Sequence, residues 1–328
     1  MTTNLIDVDN LWVTIDTFRG PLVAVRGNSF TLEKGKILGI VGESGCGKSV
    51  TANALMGLLP LGHTTVTSDR LTIDGHDCTN YDENMWRELR SSTVSMVFQD
   101  PMTALNPILT IGTQLYEVID QSGKYGDSYN QKEVAVALLQ KMGISSPEKR
   151  LGQYPHELSG GMRQRVVIAM ALCGKPKIIL ADEPTTALDV TIEAQILKVL
   201  QNLAKEEVGI IFISHNLRVV AQLCDTVMVM YGGQCVEQGL VEDIFLRPAH
   251  PYTQGLLRSL PQGKGQGELQ AIEGQPPDVF SLPLGCAFHP RCTQAMNICS
   301  REIPSLYNVV RGSEHTYRCW LAAKEGEE

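Results

Sequence analysis

Three clusters of residues in this chain have the types and spacing needed to handle a phosphate ester. Gly42-Glu43-Ser44-Gly45-Cys46-Gly47-Lys48-Ser49 is a full match to the phosphate-loop pattern. Its glycines, Gly42, Gly45 and Gly47, let the backbone turn N–H groups, those of Ser44 and Cys46 included, toward the α- and β-phosphates of a nucleotide. Lys48 then reaches the β- and γ-oxygens, and the Ser49 hydroxyl ligates Mg²⁺. The run Ile178-Ile179-Leu180-Ala181-Asp182-Glu183 ends on two carboxylates. Asp182 is suited to hold Mg²⁺ through its water shell, and Glu183 to orient and deprotonate an attacking water. Leu158-Ser159-Gly160-Gly161-Met162 opens a helix, so Ser159, Gly160 and Gly161 present bare N–H groups at the positive end of a helix dipole. That is a second phosphate-binding device, and one chain rarely needs two for one nucleotide.

Regular elements must bring these clusters together. The apolar residues 37–41 read as a buried strand entering the phosphate loop, and residues 50–59 as the helix leaving it. Residues 178–181 read as a parallel strand that delivers Asp182 and Glu183 to its C-terminal edge, where open α/β sheets bind ligands. Residues 5–32 alternate in the manner of antiparallel strands flanking the site. Between 101 and 157 lie helix-like stretches such as 131–142, with a polar break at 122–130. Residues 227–231 and 234–238 around Gly232-Gly233 read as a hairpin with a two-residue turn.

The combination resembles the ABC ATPases, and the likeness extends to smaller motifs. Gln99, in Phe98-Gln99-Asp100-Pro101, matches that family's Q-loop, which touches metal and water and connects to a transmembrane partner. Ala187-Leu188-Asp189 matches the D-loop that crosses the dimer interface, and His215 matches the switch histidine that contacts the γ-phosphate and the catalytic glutamate. The family stacks adenine on an aromatic residue ahead of the phosphate loop; Phe18, in the polar break between two strand-like runs, fits that place better than Trp12, which reads as core. The resemblance implies an α/β fold with a RecA-like core sheet, an antiparallel β subdomain and a helical subdomain at about 101–160. It also implies two ATP molecules sandwiched between the phosphate loop of one subunit and the signature turn of the other.

Length and composition narrow the class. With 328 residues the chain accommodates one large α/β domain and an appendage. No apolar run approaches the roughly 18 residues that cross a bilayer, and the polar first ten residues do not resemble a signal peptide. A net charge of −8 with no basic cluster argues against a nucleic-acid surface. A soluble ABC ATPase acting on nucleic acid would call for a basic surface, a long coiled coil or a second nucleotide domain. An exporter ATPase usually carries a fused transmembrane part.

Nine cysteines without a secretory signal read as thiols or metal ligands, and four of them, Cys286, Cys292, Cys299 and Cys319, fall in the last 43 residues. Their spacings of five, six and nineteen intervening residues match neither paired zinc knuckles nor the bacterial ferredoxin run. Cys46, Cys78, Cys173, Cys224 and Cys235 are scattered and read as small core or loop residues. The tail, with Arg247-Pro248-Ala249-His250-Pro251-Tyr252-Thr253 and Gly285-Cys286-Ala287-Phe288-His289-Pro290-Arg291-Cys292, resembles the C-terminal extension of oligopeptide/dipeptide importer ATPases. That likeness implies an ATPase domain over 1–260 and, over 261–328, a flexible linker (261–267) and the extension. It implies a [4Fe-4S] cluster on the four tail cysteines, with Zn²⁺ or unliganded thiols as alternatives. The partners implied are a paralogous ATPase subunit, two transmembrane permease subunits and an extracytoplasmic solute-binding protein, with the chain peripheral on the cytoplasmic face of the inner membrane. The expected activity is ATP hydrolysis driving peptide import; a nickel chelate, glutathione or an oligosaccharide are alternative cargoes.

Overall fold

The computed structural model describes residues 4–126, 129–186, 188–260, 271–310 and 313–322. The alternating N-terminal segment forms β1 (Asn4–Thr17) and β2 (Gly20–Glu33), paired antiparallel. Asn10 takes a left-handed backbone (φ 54) at a bulge, so the buried positions switch from Ile6 and Val8 to Leu11 and Val13 and the strand keeps one apolar face. The chain enters β3 (Ile37–Val41), buried throughout, turns through the phosphate loop and starts α1 (Lys48–Leu55). This helix stops short of the run 50–59 read from the sequence. Gly57 adopts φ 60 against Trp86, where a Cβ would lie 2.4 Å from the indole, and the chain turns there. Three short strands, β4 (Thr64–Thr67), β5 (Arg70–Ile73) and β6 (His76–Asp77), complete a five-stranded antiparallel sheet with β1 and β2.

After α2 (Glu83–Ser92) and β7 (Val94–Val97) comes a helical lobe: α3 (Pro101–Ala104), α4 (Ile111–Ser122), α5 (Gln131–Lys141), α6 (Pro147–Leu151) and α7 (Gly160–Cys173). Thr110, Asn130 and Ser159 each accept a first-turn backbone N–H through the side chain, which fixes where α4, α5 and α7 begin. β8 (Ile178–Asp182), α8 (Val190–Lys205), β9 (Gly209–Ile213) and α9 (Leu217–Leu223) follow. β10 (Thr226–Tyr231) and β11 (Gln234–Leu240) form the expected hairpin, with Gly232 and Gly233 at φ 54 and 83 in its two-residue turn. α10 (Val241–Leu246) and α11 (Pro251–Arg258) precede a tail of irregular chain, two short 3-10 turns at His289–Arg291 and Asn297–Ser300, and two-residue strands β12 (Tyr307–Asn308) and β13 (Thr316–Tyr317). The linker read at 261–267, Ala187 of the D-loop motif and part of the break at 122–130 lie outside the described residues.

The main sheet has eight strands in the order β12-β13-β11-β10-β3-β9-β8-β7, and β10, β3, β9, β8 and β7 run parallel. Alternation along β3 divides the core: Leu38 and Ile40 face the antiparallel sheet, whereas Ile37 and Val41 face the helices. The tail is tied to this sheet. Glu237 of β11, fully buried, accepts hydrogen bonds from His315 Nε2 at 2.7 Å, Ala249 N at 2.7 Å and His250 N at 2.9 Å. A carboxylate stripped of water is held by three donors there, which is how its desolvation is offset.

Candidate active site

Four parallel strands end on one side of the molecule, and each delivers one part of a cleft. The phosphate loop follows β3, Gln99 lies just past β7, Asp182 and Glu183 end β8, and His215 lies just past β9. The loop is shaped by its glycines. Gly42 and Gly47 have φ 151 and 99, and a Cβ would lie 2.2 Å from the Met230 carbonyl oxygen at the first and 2.4 Å from the Ala24 carbonyl oxygen at the second. Lys48 is buried, its Nζ donating to the carbonyls of Gly42 at 2.8 Å and Glu43 at 3.0 Å, with Cys46 Sγ at 3.9 Å. Ser44, Gly45, Gly47, Lys48, Ser49, Gln99, Glu183 and His215 line the same cleft. The Cys46 side chain turns away from it, buried beneath the loop, where desolvation pushes its thiol up.

At the acidic end, burial raises the Asp182 carboxyl and the Ser49 hydroxyl hydrogen-bonds it back down. Asp182 Oδ1 is buried and makes no hydrogen bond among the described residues. An unpartnered carboxylate oxygen next to a serine hydroxyl is a donor set that suits Mg²⁺. Glu183 sits at φ 50, a left-handed conformation that a non-glycine residue adopts at a cost of order 1–3 kcal/mol and that clusters at functional sites. Its carboxylate accepts from Thr186 Oγ1 at 2.7 Å and from the His215 backbone N at 3.1 Å, and pairs with His215 Nδ1 at 2.8 Å. The glutamate is thus aimed by three groups before any substrate arrives.

The remaining sequence candidates lie elsewhere. Ser159 caps α7 by accepting the Met162 N–H at 3.4 Å, and Ser159 and Gly160 are exposed. A Cβ on Gly160 would meet nothing within 4 Å, whereas one on Gly161 would lie 2.5 Å from Ile192 Cγ2 of α8. Only the second glycine is required by packing inside this chain. Asp189 caps α8 through the Ile192 N–H at 2.9 Å. Ser159, Gly160, Gly161 and Asp189 do not line the cleft of the phosphate loop. Nor does Phe18, which is fully exposed at the tip of the β1–β2 hairpin. Trp12 is not core: it is 39% exposed and its indole N–H donates to Asn10 Oδ1 at 2.8 Å. The apolar wall of the cleft comes instead from Ile15, Leu22, Ala24 and, from the tail, Val279. The tail reaches that wall beside Arg19, whose guanidinium stacks on Phe280 and pairs with Asp278 at 3.4 Å. No local sequence signal marks Val279; Thr186, three residues past Glu183, could have been found from that spacing.

The five scattered cysteines are buried, as expected of core residues. Cys286, Cys292, Cys299 and Cys319 all line one narrow cavity, together with His250 and Phe288. Burial pushes the Cys286 and Cys319 thiols up to about 11. Among the described residues no three His, Cys, Asp or Glu side chains are grouped so that they could hold a metal ion. The four cysteines expected to hold a [4Fe-4S] cluster, or alternatively Zn²⁺, are thus brought to one cavity but are not arranged as a metal site of either kind.

Comparison with known proteins fits this geometry. Residues 25–186 match the family described as ABC transporter, and residues 236–299 match that described as oligopeptide/dipeptide transporter, C-terminal region. Over 325 residues the chain is 49% identical to the dipeptide transport ATP-binding protein DppD of Bacillus subtilis (strain 168), a match that covers 98% of this chain and 96% of that one. With the oligopeptide transport ATP-binding protein OppD of the same organism the identity is 47%, over 97% of this chain and 89% of the other. A bacterial ABC transporter cassette solved as a dimer superposes with a TM-score of 0.63 at 25% identity, covering 72% of this chain and 98% of that one. The chain belongs to the ABC transporter ATP-binding proteins that carry the oligopeptide/dipeptide C-terminal region.

Proposed function

We propose that this chain powers the import of peptides by hydrolysing ATP in a site that it completes only with a second ATPase subunit. The observation that carries the reading is the pairing of an aimed Glu183 inside the cleft with a signature turn, Ser159-Gly160, that faces outward with open space before it. Lys48 and the loop N–H groups hold the β- and γ-phosphates. Glu183 takes a proton from the attacking water, and His215 keeps the carboxylate oriented toward the γ-phosphate. Ser49, Asp182 and Gln99 would hold Mg²⁺, which would supply charge neutralisation at the phosphates. Each ATP is a ligand with higher affinity for the closed pair of subunits, and its hydrolysis releases them. Phe18, on the tip of the hairpin whose Ile15 and Leu22 line the cleft, is assigned the role of stacking on adenine once nucleotide is bound.

Family membership supports permease partners and a solute-binding protein. In this reading two transmembrane permeases, an extracytoplasmic solute-binding protein and, as the second ATPase, a paralogous subunit complete the system, with the chain at the cytoplasmic face of the membrane. No helix among the described residues is long and apolar enough to cross a bilayer. Peptide cargo is supported by the C-terminal family match and by the names of the relatives. Uptake of a radiolabelled dipeptide tests it. Cells lacking this chain should lose uptake and regain it with the wild type but not with Glu183→Gln. Intact peptide uptake alongside lost uptake of a nickel chelate, glutathione or an oligosaccharide would overturn the cargo assignment.

The four tail cysteines are read as ligands of a [4Fe-4S] cluster, which supplies a structural crosslink to a segment with few apolar residues of its own. One observation supports it: the four thiols line a single cavity. Protein purified without oxygen should be brown, with about four iron and four sulfide per chain, and Cys292→Ser should bleach it. Stoichiometric zinc, or no metal, would remove the cluster from the account.

A further inference from the structure

The second residue of the phosphate loop is an acid. Glu43 lies in the loop next to Ser44 of the cleft, its carbonyl holding Lys48 Nζ at 3.0 Å, and a free carboxylate so close would repel a polyanionic triphosphate. In the structure that carboxylate is not free. Arg291, from the tail, donates Nη1–H to Glu43 Oε2 at 2.7 Å and Nη2–H to Oε1 at 3.1 Å, a bidentate fork across 248 residues of sequence. Its other donors are also engaged: Nη1 to the Tyr231 hydroxyl at 3.3 Å, Nη2 to the Ile272 carbonyl at 3.3 Å and Nε to the Glu273 carbonyl at 2.9 Å. All five N–H groups of the guanidinium therefore have acceptors, and its side chain is only 6% exposed. The Glu43 backbone is fixed as well, its N–H donating to the Tyr252 hydroxyl at 2.9 Å. The Glu43 carbonyl in turn holds Lys48 Nζ. The tail thus reaches the lysine that meets the phosphates through one residue.

We infer that Arg291 is a positioning residue of the ATP site, which neutralises Glu43 and turns its carboxylate away from the phosphates, so that the C-terminal tail sets the affinity of the phosphate loop for ATP. The inference rests on ATP occupying the phosphate loop and is independent of the cargo and of any metal in the tail. It assigns the turn His289–Arg291, which ends next to Cys292, a part in nucleotide binding.

The experiment is calorimetric titration of the full-length chain with Mg-ATP. Arg291→Gln should weaken binding about ten-fold, the size expected for a lost charge-assisted pair. Arg291→Lys, which keeps the charge and loses the fork, should weaken it less. Adding Glu43→Gln to Arg291→Gln should recover most of the lost affinity, because the carboxylate that needed neutralising is gone. A tail anchor without influence on charge at the loop would behave oppositely, the double variant being no better than the single one. In the assembled complex the KM for ATP of Arg291→Gln should rise more than kcat falls. Wild-type affinity in Arg291→Gln, or a double variant as weak as the single, overturns the inference. If near-ultraviolet circular dichroism shows Arg291→Gln unfolded, Arg291→Lys with and without Glu43→Gln carries the same test, and an Arg291→Lys chain with undiminished affinity overturns it.

Discussion

The phosphate loop and the signature turn use the same residue types, glycine and serine at a helix start, yet they differ in what the rest of the chain does around them. Gly42 and Gly47 are hemmed in by the carbonyls of Met230 and Ala24, and the lysine that follows is buried against loop carbonyls. Gly160 has nothing within 4 Å of where a Cβ would be, and only its neighbour Gly161 is pressed against α8. The first device is a pocket finished in cis. The second is a surface turn whose first glycine no packing among the described residues explains.

Glu183→Gln gives the largest expected effect and stops the chemistry beside the first device while leaving both phosphate-binding devices intact. Turnover of the complex should fall by about 10² to 10⁴ while ATP still holds the two ATPase subunits together, as read by crosslinking or light scattering. Near-normal hydrolysis would remove Glu183 as the base. Gly160→Asp does the converse. Calorimetry on the isolated chain should show unchanged ATP affinity, whereas ATP-driven closure should be lost, since a carboxylate at the outward face repels the partner's γ-phosphate. If the isolated chain loses ATP affinity, the signature acts in cis and the distinction collapses.

Gly47→Ala should weaken ATP binding by the isolated chain about ten-fold or more, the strain of φ 99 and the Ala24 contact forcing the loop to move. The adjacent signature glycines can be separated by the same replacement in each: Gly161→Val should destabilise by about 1–3 kcal/mol through overpacking on Ile192, and Gly160→Val should leave the melting temperature where it was. Equal destabilisation would mean that both glycines serve packing. The smallest effect concerns pH. The Asp182 carboxyl is raised by burial, and Mg²⁺ requires its ionised form. Mg-ATP affinity should therefore decline, as pH falls, sooner than an ordinary carboxylate would dictate, and Asp182→Asn should abolish that pH dependence.

The cleft was legible in the sequence because its chemistry tolerates few residue types. Glycines at positive φ, a lysine and a terminal Asp-Glu pair leave a pattern along the chain, and each lies directly after a strand readable from its apolar run. The length of α1 was not legible, since its end depends on Gly57 meeting Trp86, a contact made in three dimensions. The position of Phe18 between two strands was legible, but not that it stands fully exposed outside the lining of the cleft. Arg291 and Glu43, 248 residues apart, leave no joint trace in either neighbourhood. Strands β12 and β13 are two residues each, too short for alternation to register.

Those short strands have a consequence for where the chain can be cut. β13 pairs with β11 through Glu237–Tyr317 and Gln238–Thr316, and the Arg318 N–H adds a bond to the Val236 carbonyl. A fragment ended near residue 260, tempting as a minimal ATPase, would strip Val236, Glu237 and Gln238 of β11 of their tail partners and leave that stretch as a bare sheet margin, a template for pairing with other chains. It would also take His315 from the buried Glu237, leaving that carboxylate two backbone donors. Such a fragment is expected to aggregate with its phosphate loop intact in sequence, so a failed preparation of it would report on an unprotected strand and say nothing about the catalytic residues.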